Sequence, residues 1–65
     1  MKNKIFELRK KEGLTQDELA KKCNVSRQTI NAIENDRYDP TLQLAFKLAK
    51  VLNTTVDELF KPDDI

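Results

Sequence analysis

The sequence contains no histidine and no tryptophan, and only one cysteine, one glycine and two prolines in 65 residues. Cys23 alone cannot close an intrachain disulfide, and without histidine no plausible zinc ligand set exists. The thiol reads as a small buried hydrophobe. The same absences remove imidazole acid–base chemistry and an activated cysteine pair, and Gly13 alone cannot build a glycine-rich phosphate loop. Asp57 with Glu58 and Asp63 with Asp64 read as cap and tail charges rather than a carboxylate dyad. Catalysis is therefore the weakest functional class, and no catalytic residue, cofactor or metal is expected. No apolar run approaches the roughly 20 residues that span a bilayer. Met1-Lys2-Asn3-Lys4 leads into charged sequence with no signal-peptide core. A soluble, cytoplasmic protein with no membrane partner is expected, in which the glycosylation-like tripeptides Asn24-Val25-Ser26 and Asn53-Thr54-Thr55 carry no meaning.

What is present suits one small domain. At this length folding buries only about 60% of the unfolded chain's surface, so there is room for one core. The net charge of +1 is modest, but its distribution is uneven. Residues 1–14 carry Lys2, Lys4, Arg9, Lys10 and Lys11 against Glu7 and Glu12, whereas residues 51–65 carry Lys61 against Asp57, Glu58, Asp63 and Asp64. One end can face phosphates and the other would avoid them, unless both are simply solvated helix faces.

The few breakers divide the chain into five helices, an all-α class. The first covers about Lys4 to Glu12, with Ile5 and Leu8 inward and Gly13 as its C-terminal stop. Thr15-Gln16-Asp17-Glu18 is a capping box opening the second, in which Leu19, Ala20 and Cys23 fall at helical spacing. The break at Asn24 tolerates a left-handed backbone. Ser26 caps the third helix, Arg27 to Asn35, with Ile30 and Ile33 inward. Thr41 caps the fourth, whose stripe of Leu44, Ala45, Leu48 and Leu52 is the largest in the chain. Thr55-Val56-Asp57-Glu58 repeats the capping-box pattern before Val56, Leu59 and Phe60. No segment alternates long enough to demand a strand.

The informative unit is residues 16–35, two short helices joined by a tight turn, with Ala20 small enough for a close crossing. With Ile30 and Ile33 inward and about 100° per residue, Gln28, Asn31, Ala32 and Asn35 fall on the opposite face. That face carries no charge. Glutamine and asparagine each offer a donor beside an acceptor, matching the edge of adenine, and alanine can meet a thymine methyl. The alternative is a polar surface without function. Helix starts attract phosphates, which makes Thr15, Gln16, Ser26, Arg27 and Thr29 candidates for positioning contacts, with Asn35 and Arg37 after them. Tyr38 either extends that clamp or packs on the core edge.

These residues resemble the Cro/cI-type (XRE-like) helix-turn-helix family of phage repressors and compact prokaryotic regulators. The resemblance spans about Ile5 to Phe60. Its marks are Leu14-Thr15-Gln16-Asp17-Glu18-Leu19-Ala20, Val25-Ser26-Arg27-Gln28-Thr29-Ile30, Ile33-Glu34-Asn35, Pro40-Thr41-Leu42 and Leu59-Phe60. It implies a compact five-helix, lambda-repressor-like domain over residues 5–60, with a short tail at 61–65. It further implies a sequence-specific transcription regulator. Gln16 would touch phosphate or the edge of the site, Gln28 would be a principal base reader, and Arg27, Asn31 and Ala32 match positions that vary with the target. Arg9 and Glu34 match positions that form a structural salt bridge between the first and third helices in phage repressors. Asn24 and Asp36 depart from the family pattern by standing where glycine is common, and both tolerate left-handed backbone.

One such domain reads few base pairs, so a two-fold dimer on a palindromic operator of double-stranded DNA is expected, with recognition helices about 34 Å apart. With no separate oligomerisation domain in the sequence, Phe60, Ile65 and Phe46 are the candidate dimer contacts, and Phe6 is a further exposed aromatic. Phe46 and Phe60 could equally complete the core. A regulatory protein partner is the competing class. RNA is disfavoured because the outward face lacks aromatics that stack on unpaired bases.

Overall fold

A computed structural model describes residues 1–61. Along the chain it places β1 (Lys2–Asn3), α1 (Ile5–Lys11), α2 (Gln16–Cys23), α3 (Arg27–Glu34), α4 (Leu42–Val51), α5 (Val56–Leu59) and β2 (Phe60–Lys61). The five helices are those expected. Their starts follow from local chemistry at three places, where Thr15, Ser26 and Thr41 accept bonds from the amides of Glu18, Thr29 and Leu44. In the Thr15 box the reciprocal bond, Thr15 N–H to Glu18 Oε1, is 2.9 Å. It holds the Glu18 carboxyl below its ordinary value of 4.5, because the bonded form is the charged one.

Four helix ends share one device. Gly13, Asn24, Asp36 and Asn53 all adopt positive φ, between 56° and 71°. Each is followed by an amide that reaches back five residues: Leu14 to Arg9, Val25 to Ala20, Arg37 to Ala32, and Thr54 to Ala49. This is the Schellman arrangement, which satisfies carbonyls that a helix end leaves open. Only one of the four is glycine. Asn and Asp fill the others at modest cost, so the departures at Asn24 and Asp36 do not disturb the turns.

One expectation fails, and one feature was not anticipated. Thr55 makes no side-chain cap bond to the start of α5. Its hydroxyl donates instead to the Glu58 carboxylate at 3.4 Å, so the second capping box has the sequence of the first without its geometry. The chain also contains strands, if only of two residues each. β1 and β2 pair antiparallel, Lys2 opposite Lys61 and Asn3 opposite Phe60, and Lys4 N–H continues the ladder to Leu59 O at 2.9 Å. Segments this short carry no alternation to detect. They pair because the helices bring the two ends of the domain together. The fold remains a compact helical domain with α2 and α3 as its helix-turn-helix.

The core gathers Ile5 from α1, Leu19, Ala20 and Cys23 from α2, Ile30 and Ile33 from α3, the α4 stripe, and Leu59 with Phe60. Cys23 is buried, and burial pushes its thiol up from its ordinary value. Among the described residues, no helix is long and apolar enough to cross a membrane, and no group of potential metal ligands occurs.

Candidate nucleic-acid interface

The site begins with the angle between α2 and α3. Ala20 on α2 is fully buried, and its small side chain suits a close approach of packed helices, while a polar chain links the elements around α3. Arg9, only 7% exposed, donates from Nε and Nη2 to Glu34 Oε1 at 3.2 and 3.0 Å. Its Nη1 donates to Leu14 O at 3.0 Å. The expected Arg9–Glu34 salt bridge is thus present, with both side chains buried. Its guanidinium fork is used as a three-way tie among α1, the turn after it and α3.

The chain continues beyond what sequence reasoning anticipated. Gln16 Nε2 donates to Glu34 Oε2, and Asn31 Nδ2 donates to Gln16 Oε1 at 3.3 Å. Asn3 was also unforeseen. Its Oδ1 accepts from Ile5 N–H at 3.0 Å, and its Nδ2 donates to Ile33 O at 2.8 Å and Asp36 Oδ1 at 3.1 Å. The amino-terminal strand thereby anchors the end of α3.

Gln28 is exposed on the outer face of α3, beside half-buried Asn31 and Ala32. With Arg27 and Arg37 these residues line one shallow depression of about 360 Å³. Arg27 also borders a second depression, of about 540 Å³, whose lining includes Lys10, Thr15 and Gln16. The expected base-reading residues are therefore contiguous with Thr15, Gln16 and Arg37 from the expected phosphate set. Cationic charge comes from Lys10, Arg27 and Arg37. Arg9, counted in the basic end of the sequence, is neutralised by Glu34 and turned inward.

The helix starts have limited free capacity. The Thr15–Glu18 box occupies two of the four open amides at the start of α2, leaving those of Gln16 and Asp17. Ser26 Oγ and Thr29 Oγ1 lie 2.9 Å apart, either one donating, so a single hydroxyl proton remains for an outside acceptor. Asn35 donates from Nδ2 to Asn31 O at 2.8 Å, which assigns it part of the closure of its own helix.

The aromatic candidates for a dimer separate. Phe60 is 6% exposed and completes the core. Phe46 is 59% exposed and borders a mostly apolar groove of about 720 Å³ with Ala49, Lys50, Thr54, Thr55, Val56 and Asp57. Phe6 is also exposed, but Arg9 and Lys10 place cations 5.4 and 5.6 Å from its ring centre, giving it partners within the chain. Tyr38 is exposed beside Val25, Thr29 and Leu44, away from the α3 depression. Ile65 lies outside the described residues.

Comparison with known proteins adds four findings. A family model described as helix-turn-helix matches residues 5–59. An HTH-type transcriptional regulator of Methanocaldococcus jannaschii is 52% identical over 64 residues, covering 98% of this chain and 97% of that one. Among solved structures, the N-terminal DNA-binding domain of SinR from Bacillus subtilis superposes with a TM-score of 0.79 at 29% identity, over 94% of this chain and 90% of that one. A complex of the SinR and SinI proteins gives a TM-score of 0.81 at 30% identity, over 92% of this chain and 59% of the matched chain.

Proposed function

The chain belongs to the helix-turn-helix family of DNA-binding transcriptional regulators, and on that premise we propose that it recognises a specific operator by seating α3 in the major groove, as one half of a two-fold homodimer. The observation that carries this reading is the uncharged outward face of α3. Gln28, Asn31 and Ala32 share one depression that is bordered by Arg27 and Arg37. Amides and a methyl discriminate base edges, whereas flanking arginines bind phosphate without regard to sequence. Gln28 and Asn31 read bases with Ala32 and Arg27 beside them. Thr15, Gln16, Ser26, Thr29, Asn35 and Arg37 position the backbone.

The dimer contact in this reading is the groove beside Phe46. Its rim holds Lys50 and Asp57, both exposed and opposite in charge. A two-fold axis through such a patch brings each lysine to the other copy's aspartate while Phe46 is buried, the self-complementarity that an isologous interface requires.

Selection of bound sequences from random duplex DNA at near-physiological salt tests the proposal. A palindrome is expected, with half-site centres about 34 Å apart on one DNA face. Gln28→Ala should relax one base position per half-site by about 1–3 kcal/mol. A monomeric mass both free and on the operator removes the dimer. No enriched motif, with binding lost at modest salt, indicates phosphate attraction alone. A protein partner then becomes the better reading, one that the SinR–SinI likeness supports and whose affinity should be far less sensitive to salt.

A further inference from the structure

The polar chain through the interface has a direction that chemistry imposes. Glu34 is paired with Arg9 and its side chain is 6% exposed. A carboxylate so held has acceptors only. Gln16 must therefore turn its amide nitrogen toward Glu34, which turns its Oε1 toward Asn31, and Asn31 must donate from Nδ2. An asparagine on an open helix face can turn its amide over and exchange donor for acceptor. Asn31 cannot do so without breaking this chain. One Nδ2 proton is held by Gln16, leaving Oδ1 and the second proton for the depression it shares with Gln28.

We infer that Glu34, acting through Gln16, is a positioning residue for base recognition: it fixes the hydrogen-bond polarity of Asn31, so that α3 presents an acceptor beside a donor at that point. The matching edge is that of adenine, whose N6 amino group donates beside the N7 acceptor. Guanine offers acceptors at both O6 and N7 and meets Asn31 Oδ1 with repulsion. Gln16 retains a second Nε2 proton, so a phosphate contact at the start of α2 would brace the same amide that orients the reader. The inference rests on the proposal that α3 occupies the major groove.

The test measures affinity for duplexes carrying each base at every position of a selected half-site. It compares the native chain with Asn31→Ala, Gln28→Ala, Gln16→Ala and Glu34→Gln, each first shown to be folded by its thermal melt. Asn31→Ala identifies the position that Asn31 reads. Gln16→Ala should reduce the adenine preference there by about tenfold, the scale of one bidentate pair, and leave the Gln28 position unchanged. Glu34→Gln, whose amide can donate as well as accept, should shift the adenine-to-guanine ratio in the same direction at that position alone. Equal weakening of all duplexes by both variants would overturn the inference. If Asn31→Ala alters no preference while Gln28→Ala does, the inference fails and the groove reading stands. If neither alters a preference, the groove reading itself fails. In the DNA-free protein, the side-chain amide of Asn31 should exchange slowly by NMR and be released in Gln16→Ala. An unchanged amide in that variant would remove the bond on which the inference depends.

Discussion

The two halves of this small domain share one apolar core but differ in whether side-chain hydrogen bonds also join their elements. Between α1, α2 and α3, side chains of Arg9, Glu34, Gln16, Asn31 and Asn3 carry hydrogen bonds from one element to another. Among the described residues, no hydrogen-bonding side chain of α4 or α5 reaches another element. Those helices are fixed by Leu44, Ala45, Leu48, Ala49 and Leu59 in the core. Apolar burial is non-directional and roughly proportional to area, whereas a hydrogen bond sets an angle. The directional bonds lie where the relative orientation of two helices would be tested by a rigid duplex. The half that only needs to exclude water uses leucine and alanine.

The comparison breaks most visibly at Arg9. Arg9→Met leaves Glu34 buried without its cation and Leu14 O without a donor. A loss of about 3–5 kcal/mol is expected in urea unfolding. In the fraction that remains folded, base preference should weaken together with stability. A loss below 1 kcal/mol would mean that Glu34 finds another partner and that the polar half is not organised around this pair.

Leu48 is the matched probe in the apolar half, being fully buried on α4. Leu48→Ala should cost about 2–5 kcal/mol through lost transfer energy and a residual cavity. Measured well below its melting temperature, it should bind the same motif with the same base preferences. Altered preferences in Leu48→Ala would show that orientation at α3 depends on core packing as well as on the polar chain.

The smallest effect concerns the α2 cap. The folded Glu18 carboxyl lies below its ordinary value, so its contribution is present above the unfolded value and is lost as pH falls through the folded one. Glu18→Gln should therefore flatten the acid side of the stability profile near and below pH 4.5, with little change at neutral pH in that slope. An identical acid profile in the variant would mean that other carboxylates dominate there, such as Asp57, whose carboxyl is also held low.

Much of this architecture was legible in the sequence. Thr15, Ser26 and Thr41 each precede an amphipathic segment, and the cap, the apolar spacing and the stop are all decided within a few residues. The outward face of α3 was legible for the same reason, since Ile30 and Ile33 set its rotation. The Arg9–Glu34 pair was available only through family resemblance, because its partners lie 25 residues apart. Thr55 shows the limit of local signals, having the same pattern as Thr15 but bonding otherwise.

The sequence by itself determined the helices, their order, the core stripe and the uncharged face of α3, because these depend on periodicity and on hydrogen bonds that close within one turn. Tertiary structure alone decided that Asn3 fastens the end of α3, that β1 meets β2, that Phe60 is buried while Phe46 is exposed, and that Gln16 stands between Glu34 and Asn31. Each of those outcomes joins residues distant along the chain. Their distances and angles exist only once the helices have packed.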